Sequence, residues 1–165
     1  MLFRSLGTKG ARLTTQLSIA GRNLVYLPPA GTDVASEKYI GISQRIDQPE
    51  EREAIKARLA GLMADDEKGG IIARTSAQDA SDAELLNDMR YLRTTWDNIR
   101  EGMKHKAAPS LLYQDLSLAE RVLRDVAGEV TTQIRVDSAE NFEKLKSFAN
   151  LYMPNLLGKI GRAHV

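Results

Sequence analysis

The residues best suited to chemistry in this chain are Arg74, Thr75 and Ser76, which follow the apolar run Ile71-Ile72-Ala73. An arginine and two hydroxyls at the end of a buried strand can ring a phosphate with charge-assisted hydrogen bonds. Backbone N–H groups of the turn that follows can add to such a ring. The ordinary alternative is an arginine bridged to a carboxylate beside hydroxyls that cap a turn, and residue types alone favour it. Lys9, in Gly7-Thr8-Lys9-Gly10, is a second candidate, because a lysine between glycines can approach a phosphate backbone. It lacks the Gly-x-x-x-x-Gly-Lys-Ser/Thr spacing of a P-loop, and on residue types alone it reads as an exposed loop lysine. Gln44-Arg45 offers another cation, unless Arg45 only pairs with Asp47.

Other chemistries find little support. The carboxylates Asp65-Asp66-Glu67, Asp79, Asp82 and Glu84 read as solvated helix faces and caps. A two-metal nuclease site needs acids converging from separate elements, so no catalytic or metal-binding residue is assigned. Cysteine is absent, which removes disulfides, thiol nucleophiles and thiolate zinc sites. The only histidines are His105 and His164, and His105 sits in the basic run Lys104-His105-Lys106 with no evident partner for general-base work. The 165 residues carry 23 Lys+Arg against 22 Asp+Glu, so any nucleic-acid contact must come from a local basic patch. Hydrophobic residues make up 42% and charged residues 27%, enough to bury a core. No apolar run approaches the roughly 20 residues of a membrane span, and no signal peptide is expected.

Short strands and amphipathic helices must position these residues, so the fold class expected is α+β. Strands are expected at Leu13 to Ile19, at Leu24-Val25-Tyr26-Leu27 before Pro28-Pro29, and at Tyr39 to Ser43 as its partner. A polar loop covers residues 30–38. Pro49 opens a helix with Glu50, Glu51 and Glu53 at its positive end and Ile55, Leu59 and Leu62 on one face. Ser81-x-x-Glu84 is a capping box that starts a long helix, striped by Leu85, Met89, Leu92, Trp96 and Ile99. Pro109 blocks its resumption and places a domain boundary near residues 107–110. A helix over about 116–127, a strand at Gln133 to Val136 and a Ser138-capped helix with Phe142, Leu145, Phe148 and Tyr152 complete the chain.

The two ends stand apart. Leu2-Phe3-Arg4-Ser5 and Ile160 to Val165 can be encoded by reverse-complementary strings, CTCTTCCGATCT and, with Lys159 as AAG, one containing AGATCGGAAGAG. Such strings resemble the arms of a sequencing adapter. Residues 1–5 and 160–165 are therefore read as non-native, and Leu6 to Lys159 as the genuine piece of a longer gene.

Five stretches, in order, carry a resemblance. They are Gly7-Thr8-Lys9-Gly10-Ala11-Arg12-Leu13-Thr14-Thr15, Leu24-Val25-Tyr26-Leu27-Pro28, Gly41-Ile42-Ser43-Gln44-Arg45-Ile46, Ile71-Ile72-Ala73-Arg74-Thr75, and Val122-Leu123-Arg124-Asp125 with Ile134-Arg135-Val136-Asp137. Together the chain resembles the ribonuclease E / ribonuclease G family of bacterial endoribonucleases, closer to the ribonuclease G branch. The resemblance implies that residues 6–15 end an S1 RNA-binding domain and that residues 16–109 form a 5′-sensor domain. Residues 110–159 would then begin an RNase H-like α/β region.

It further implies that Arg74 and Thr75 grip the 5′-terminal monophosphate of single-stranded RNA. Gly21, Val25 and Arg45 would lie about the same pocket, and Lys9 would contact RNA near the scissile bond. Ribonuclease E has an arginine where this chain has Gln44. The family's magnesium-binding carboxylates lie in a DNase I-like region that this chain does not reach, and its zinc-linking Cys-Pro-x-Cys motif is absent. The parent is thus expected to be a cytoplasmic, homo-oligomeric, magnesium-dependent endoribonuclease acting in rRNA maturation and mRNA turnover, and the fragment to be inactive. Two alternatives stay open: a stand-alone, non-catalytic 5′-phosphate-binding module, and a structural role in which the helix after Ser81 is an oligomer contact.

Overall fold

The computed structural model describes residues 2–6, 9–29, 38–64, 68–128 and 130–163, with side chains from Thr14 onward. It has the mixed α+β character expected, and it divides into two compact units, residues 1–92 and 93–165. The division falls between residues 92 and 93, inside the long helix that starts at Asp82.

In the first unit β1 (Leu2–Leu6) and β2 (Lys9–Thr14) form an antiparallel pair. The strand expected from Leu13 to Ile19 is interrupted: β2 stops at Thr14, and β3 (Ile19–Ala20) belongs to another sheet. The Thr14 hydroxyl accepts from Gln16 N–H at 3.1 Å, a local turn that competes with strand pairing. β4 (Leu24–Leu27) pairs antiparallel with β3 on one side and with β6 (Gly70–Ala73) on the other.

β5 (Tyr39–Ile42) is not the direct partner of β4. It lies beyond β6 and parallel to it, in the order β3-β4-β6-β5. The reason is the intervening helix α1 (Pro49–Leu62): β5, α1 and β6 make a crossover unit, and such a connection joins parallel strands. The polar loop expected over residues 30–38 lies almost wholly outside the described residues, with only Lys38 inside.

The sheet's two faces differ, as a period of two requires. Leu24, Tyr26, Ile71 and Ala73 are buried, while the register partners Val25 and Ile72 are only half-buried on the opposite face. Ile55 and Leu59 of α1 are buried; Leu62 is half-buried. Helix α2 (Asp82–His105) begins at the expected box: Glu84 N–H donates to Ser81 Oγ at 3.3 Å and Ser81 N–H to Glu84 Oε2 at 2.9 Å. Leu85, Met89, Leu92 and Ile99 of its stripe are buried and Trp96 half-buried.

The second unit holds α3 (Leu118–Val126), β7 (Ile134–Val136), α4 (Ala139–Tyr152) and β8 (Ile160–Arg162). Ser117 and Glu120 cap α3 reciprocally, and Ser138 caps α4 by accepting from Asn141 N–H. Leu145 and Phe148 are buried, and the Phe148 and Tyr152 rings lie 5.0 Å apart. β7 and β8 pair in parallel across α4. Both terminal stretches set aside from the sequence thus supply strands, Leu2–Leu6 to the first unit and Ile160–Arg162 to the second.

Candidate anion-binding site

The three neighbouring strands β4, β6 and β5 present one pocket on the half-buried face of their sheet. It encloses about 280 Å³ and is lined by Val25, Ser43, Arg45, Ile72, Ala73, Arg74 and Thr75. Val25 and Ile72, directly opposed across β4 and β6, form an apolar floor. The end of β6 delivers Arg74 and Thr75, and the turn after β5 delivers Ser43 and Arg45. Two guanidiniums and two hydroxyls therefore meet at a pocket whose lining contains no carboxylate. That composition favours an anion.

Arg74 shows how the site is preset. Its Nη1 donates to the carbonyl of Gly21 at 2.6 Å and to that of Arg22 at 3.2 Å. The sequence alternative of a carboxylate-bridged arginine is not what is found: the partners are neutral carbonyls. Among the described residues no acceptor takes up Nε or Nη2. The residual charge and the second edge of the planar fork are therefore available to a ligand. Backbone and hydroxyl bonds lock the same corner: Arg74 N–H donates to Asn23 O at 2.8 Å and Ser76 Oγ to Arg22 O at 2.9 Å. Ser76 is thus a brace for the turn, while Thr75 lines the pocket.

Across the pocket, Arg45 is exposed, and among the described residues no carboxylate is ion-paired with it, so the pairing with Asp47 is not found. Arg52 of α1 shapes that side. Its Nη1 donates to Ser43 O at 2.8 Å and Ile46 O at 2.9 Å, fixing the turn that carries Ser43 and Arg45.

Of the residues singled out from the sequence, Arg74, Thr75, Val25 and Arg45 come together. Gly21 stands behind the wall: it offers its carbonyl to Arg74 and is itself buried. Lys9 opens β2, and its side chain lies outside the described residues. Sequence reasoning missed Ser43, although it sits within one of the five stretches. It also missed Asp88, a buried acid of α2 whose carboxylate accepts the N–H groups of Arg22, Asn23 and Leu24 at 2.8, 2.7 and 2.7 Å. A signal for Asp88 was present: it follows Leu85 by three and precedes Leu92 by four, on the inward stripe of an amphipathic helix.

Residues 18–164 match the model of the ribonuclease E/G family. The chain belongs to that family. It is 41% identical over 155 residues to ribonuclease G of Escherichia coli (strain K12), covering 94% of this chain and 30% of that protein. Identity to ribonuclease G of Haemophilus influenzae is 37% over 155 residues, again 94% of this chain and 30% of that protein. Identity to ribonuclease E of Haemophilus influenzae is 33% over 154 residues, 93% of this chain and 16% of that protein. The chain thus spans about a third or less of the length of these ribonuclease E/G relatives. Among its described residues no group of three His, Cys, Asp or Glu side chains converges.

Proposed function

We propose that the pocket between β4, β6 and β5 binds the 5′-terminal monophosphate of single-stranded RNA. In this reading the chain is the RNA-end-sensing part of an endoribonuclease. The observation that carries it is the Arg74 guanidinium, held by one nitrogen on backbone carbonyls with its other edge available at a carboxylate-free pocket. A terminal phosphate suits this arrangement. It carries a charge of about −1.5 to −2 near neutral pH and three free oxygens, whereas an internal phosphodiester has one charge and two. Arg74 supplies a planar pair of donors, Thr75 a hydroxyl bond, Arg45 a second charge, and Val25 with Ile72 an apolar floor for the first nucleoside. Lys9 would contact the RNA further along. A 5′-hydroxyl gives Arg74 and Thr75 nothing to hold.

The names of the relatives support RNA as the polymer and cleavage as the parent's activity. We assign residues 6–15 to the end of an S1 domain, residues 16–109 to the sensor and residues 110–159 to an RNase H-like region. In the parent, magnesium would activate water and stabilise the leaving oxygen. No residue of this chain is assigned to hold it. The parent is read as a cytoplasmic homo-oligomer acting in rRNA maturation and mRNA turnover.

Fluorescence anisotropy with oligonucleotides differing only at the 5′ end, at fixed salt, tests the pocket. Charge-assisted bonds contribute roughly 1.5–3 kcal/mol each, so Arg74→Ala should weaken monophosphorylated RNA about ten- to a hundred-fold. Binding of 5′-hydroxyl RNA should barely change. Arg74→Lys should restore little, because an ammonium cannot hold the carbonyls and the phosphate in one plane. Equal losses for both oligonucleotides would reduce Arg74 to a general RNA contact and overturn the reading.

A further inference from the structure

Asp88 lies on α2, six residues past the helix start, and does not line the pocket. It is 7% exposed, a depth at which a carboxylate must be compensated. The compensation is an array of three backbone donors: Arg22 N–H at 2.8 Å to Oδ1, and Asn23 and Leu24 N–H at 2.7 Å each to Oδ2. Arg22 and Asn23 lie in the turn between β3 and β4, and Leu24 opens β4. The carbonyls on the other side of that turn, those of Gly21 and Arg22, receive Arg74 Nη1, and the Asn23 carbonyl receives Arg74 N–H. The turn therefore carries negative charge from α2 on its N–H side and the pocket's cation on its C=O side.

Gly21 completes the fit. A Cβ at this position would overlap the Asp88 carboxylate, with Cγ only 2.6 Å away. No flexible side-chain end is in the way; the obstacle is a carboxylate pinned by three hydrogen bonds. Glycine at 21 thus belongs to the clamp. Arg22 adds an exposed tie to the same helix, its Nη1 lying 3.7 Å from Glu84 Oε1.

We propose that Asp88 is the positioning residue of the phosphate pocket, acting through the Gly21–Leu24 turn to hold the Arg74 guanidinium in its ligand-ready orientation. This rests on the phosphate-binding reading above. Asp88 touches no ligand. Its contribution is to remove the freedom Arg74 would otherwise lose on binding, so that selectivity for a terminal phosphate depends on a buried acid on a different element. The coupling is reciprocal: a phosphate that holds Arg74 must also steady the turn that Asp88 grips.

Two measurements on the whole chain test this. In the first, Asp88→Asn, which keeps the shape but turns one acceptor into a donor, is compared with Arg74→Ala and the double variant. Each is titrated with matched 5′-monophosphate and 5′-hydroxyl oligoribonucleotides. Asp88→Asn should lower the preference for the monophosphate about 5- to 30-fold, the loss of one or two hydrogen bonds to a charged group. In the Arg74→Ala background it should cost no further preference. In the second, amide hydrogen exchange on the unmodified chain should show Asn23 and Leu24 N–H better protected with the monophosphorylated oligonucleotide than with the hydroxyl one. This measurement decides the matter if Asp88→Asn does not fold.

Undiminished preference in a folded Asp88→Asn, together with a loss in Arg74→Ala, would overturn the positioning role and leave the phosphate reading intact. So would unchanged protection at Asn23 and Leu24 when the monophosphate binds. No effect of Arg74→Ala would instead overturn the phosphate reading itself.

Discussion

On the phosphate-binding reading Arg74 combines two duties that a lysine could not share. One nitrogen is committed to the protein and the rest of the planar group is left for a ligand. Thr75 sits beside it at the start of a 3-10 turn (Thr75–Ala77), exposed, with its hydroxyl at the pocket wall. Thr75→Val keeps the shape and removes only that hydroxyl. One neutral-to-charged hydrogen bond of roughly 1–2 kcal/mol would be lost, so binding of 5′-monophosphorylated RNA should weaken about 5- to 30-fold. The thermal midpoint should hardly move, because the hydroxyl has no bond in the described structure. Anisotropy and a melting curve on the same sample check both halves. At this scale residue types drew notice to Arg74, Thr75 and Arg45 as strand-end and turn residues, Val25 entered only through the family resemblance, and that the four line one pocket follows from the order of the strands. Asp88 was not legible in the sequence. Its role depends on which backbone N–H groups a helix faces after folding, and one-dimensional spacing marks only that an acid lies on an inward stripe.

The pocket is a property of elements as much as of side chains. Its floor exists because β6 inserts between β4 and β5, which brings the turn after β5 and the end of β6 to the same edge. The apolar runs of these strands were readable, but their order was not. Pairing depends on the β5–α1–β6 crossover, and α1 itself is legible mainly from Pro49 and its acidic first turn. Helix α2 was the clearest element, and its cap makes a prediction. The Ser81 N–H and hydroxyl hold the Glu84 carboxyl below its ordinary value, with a smaller pull from Arg22 and an opposing push from partial burial. A carboxylate with a lowered folded pKa stabilises the fold above its unfolded value, about 4.3, and that contribution disappears as pH falls through the folded value. Ser81→Ala should therefore cost about 1 kcal/mol near neutral pH. Alanine keeps the Ser81 N–H bond and loses the hydroxyl, so only the part of the difference that comes from the hydroxyl–carboxylate bond should fade as pH falls below the unfolded value, while the part from the lost bond to Glu84 N–H persists. Urea titrations at several pH values measure it; a difference that grows as pH falls would contradict this account of the cap.

For the whole molecule, the chain belongs to the ribonuclease E/G family and spans about a third or less of the length of the relatives it matches. Among the described residues no group of three His, Cys, Asp or Glu side chains converges. Given magnesium and a single-stranded RNA, the purified chain should show no cleavage above background, read on a denaturing gel. Magnesium-dependent cleavage abolished by replacing one of the chain's own acids would contradict that. The overall α+β class was legible from alternating short strands and striped helices. The sequence carries no mark of a division inside α2, because the helical stripe runs unbroken across residues 92 and 93.

The central claim is that this chain distinguishes an RNA end from an RNA interior by its phosphate. The most direct test is the ratio of dissociation constants of the unmodified chain for one oligoribonucleotide with a 5′-monophosphate and with a 5′-hydroxyl, at fixed salt. Donors from Arg74 and Thr75 that only the monophosphate can use predict tighter binding of the monophosphate by about ten-fold or more. Equal constants would contradict the account.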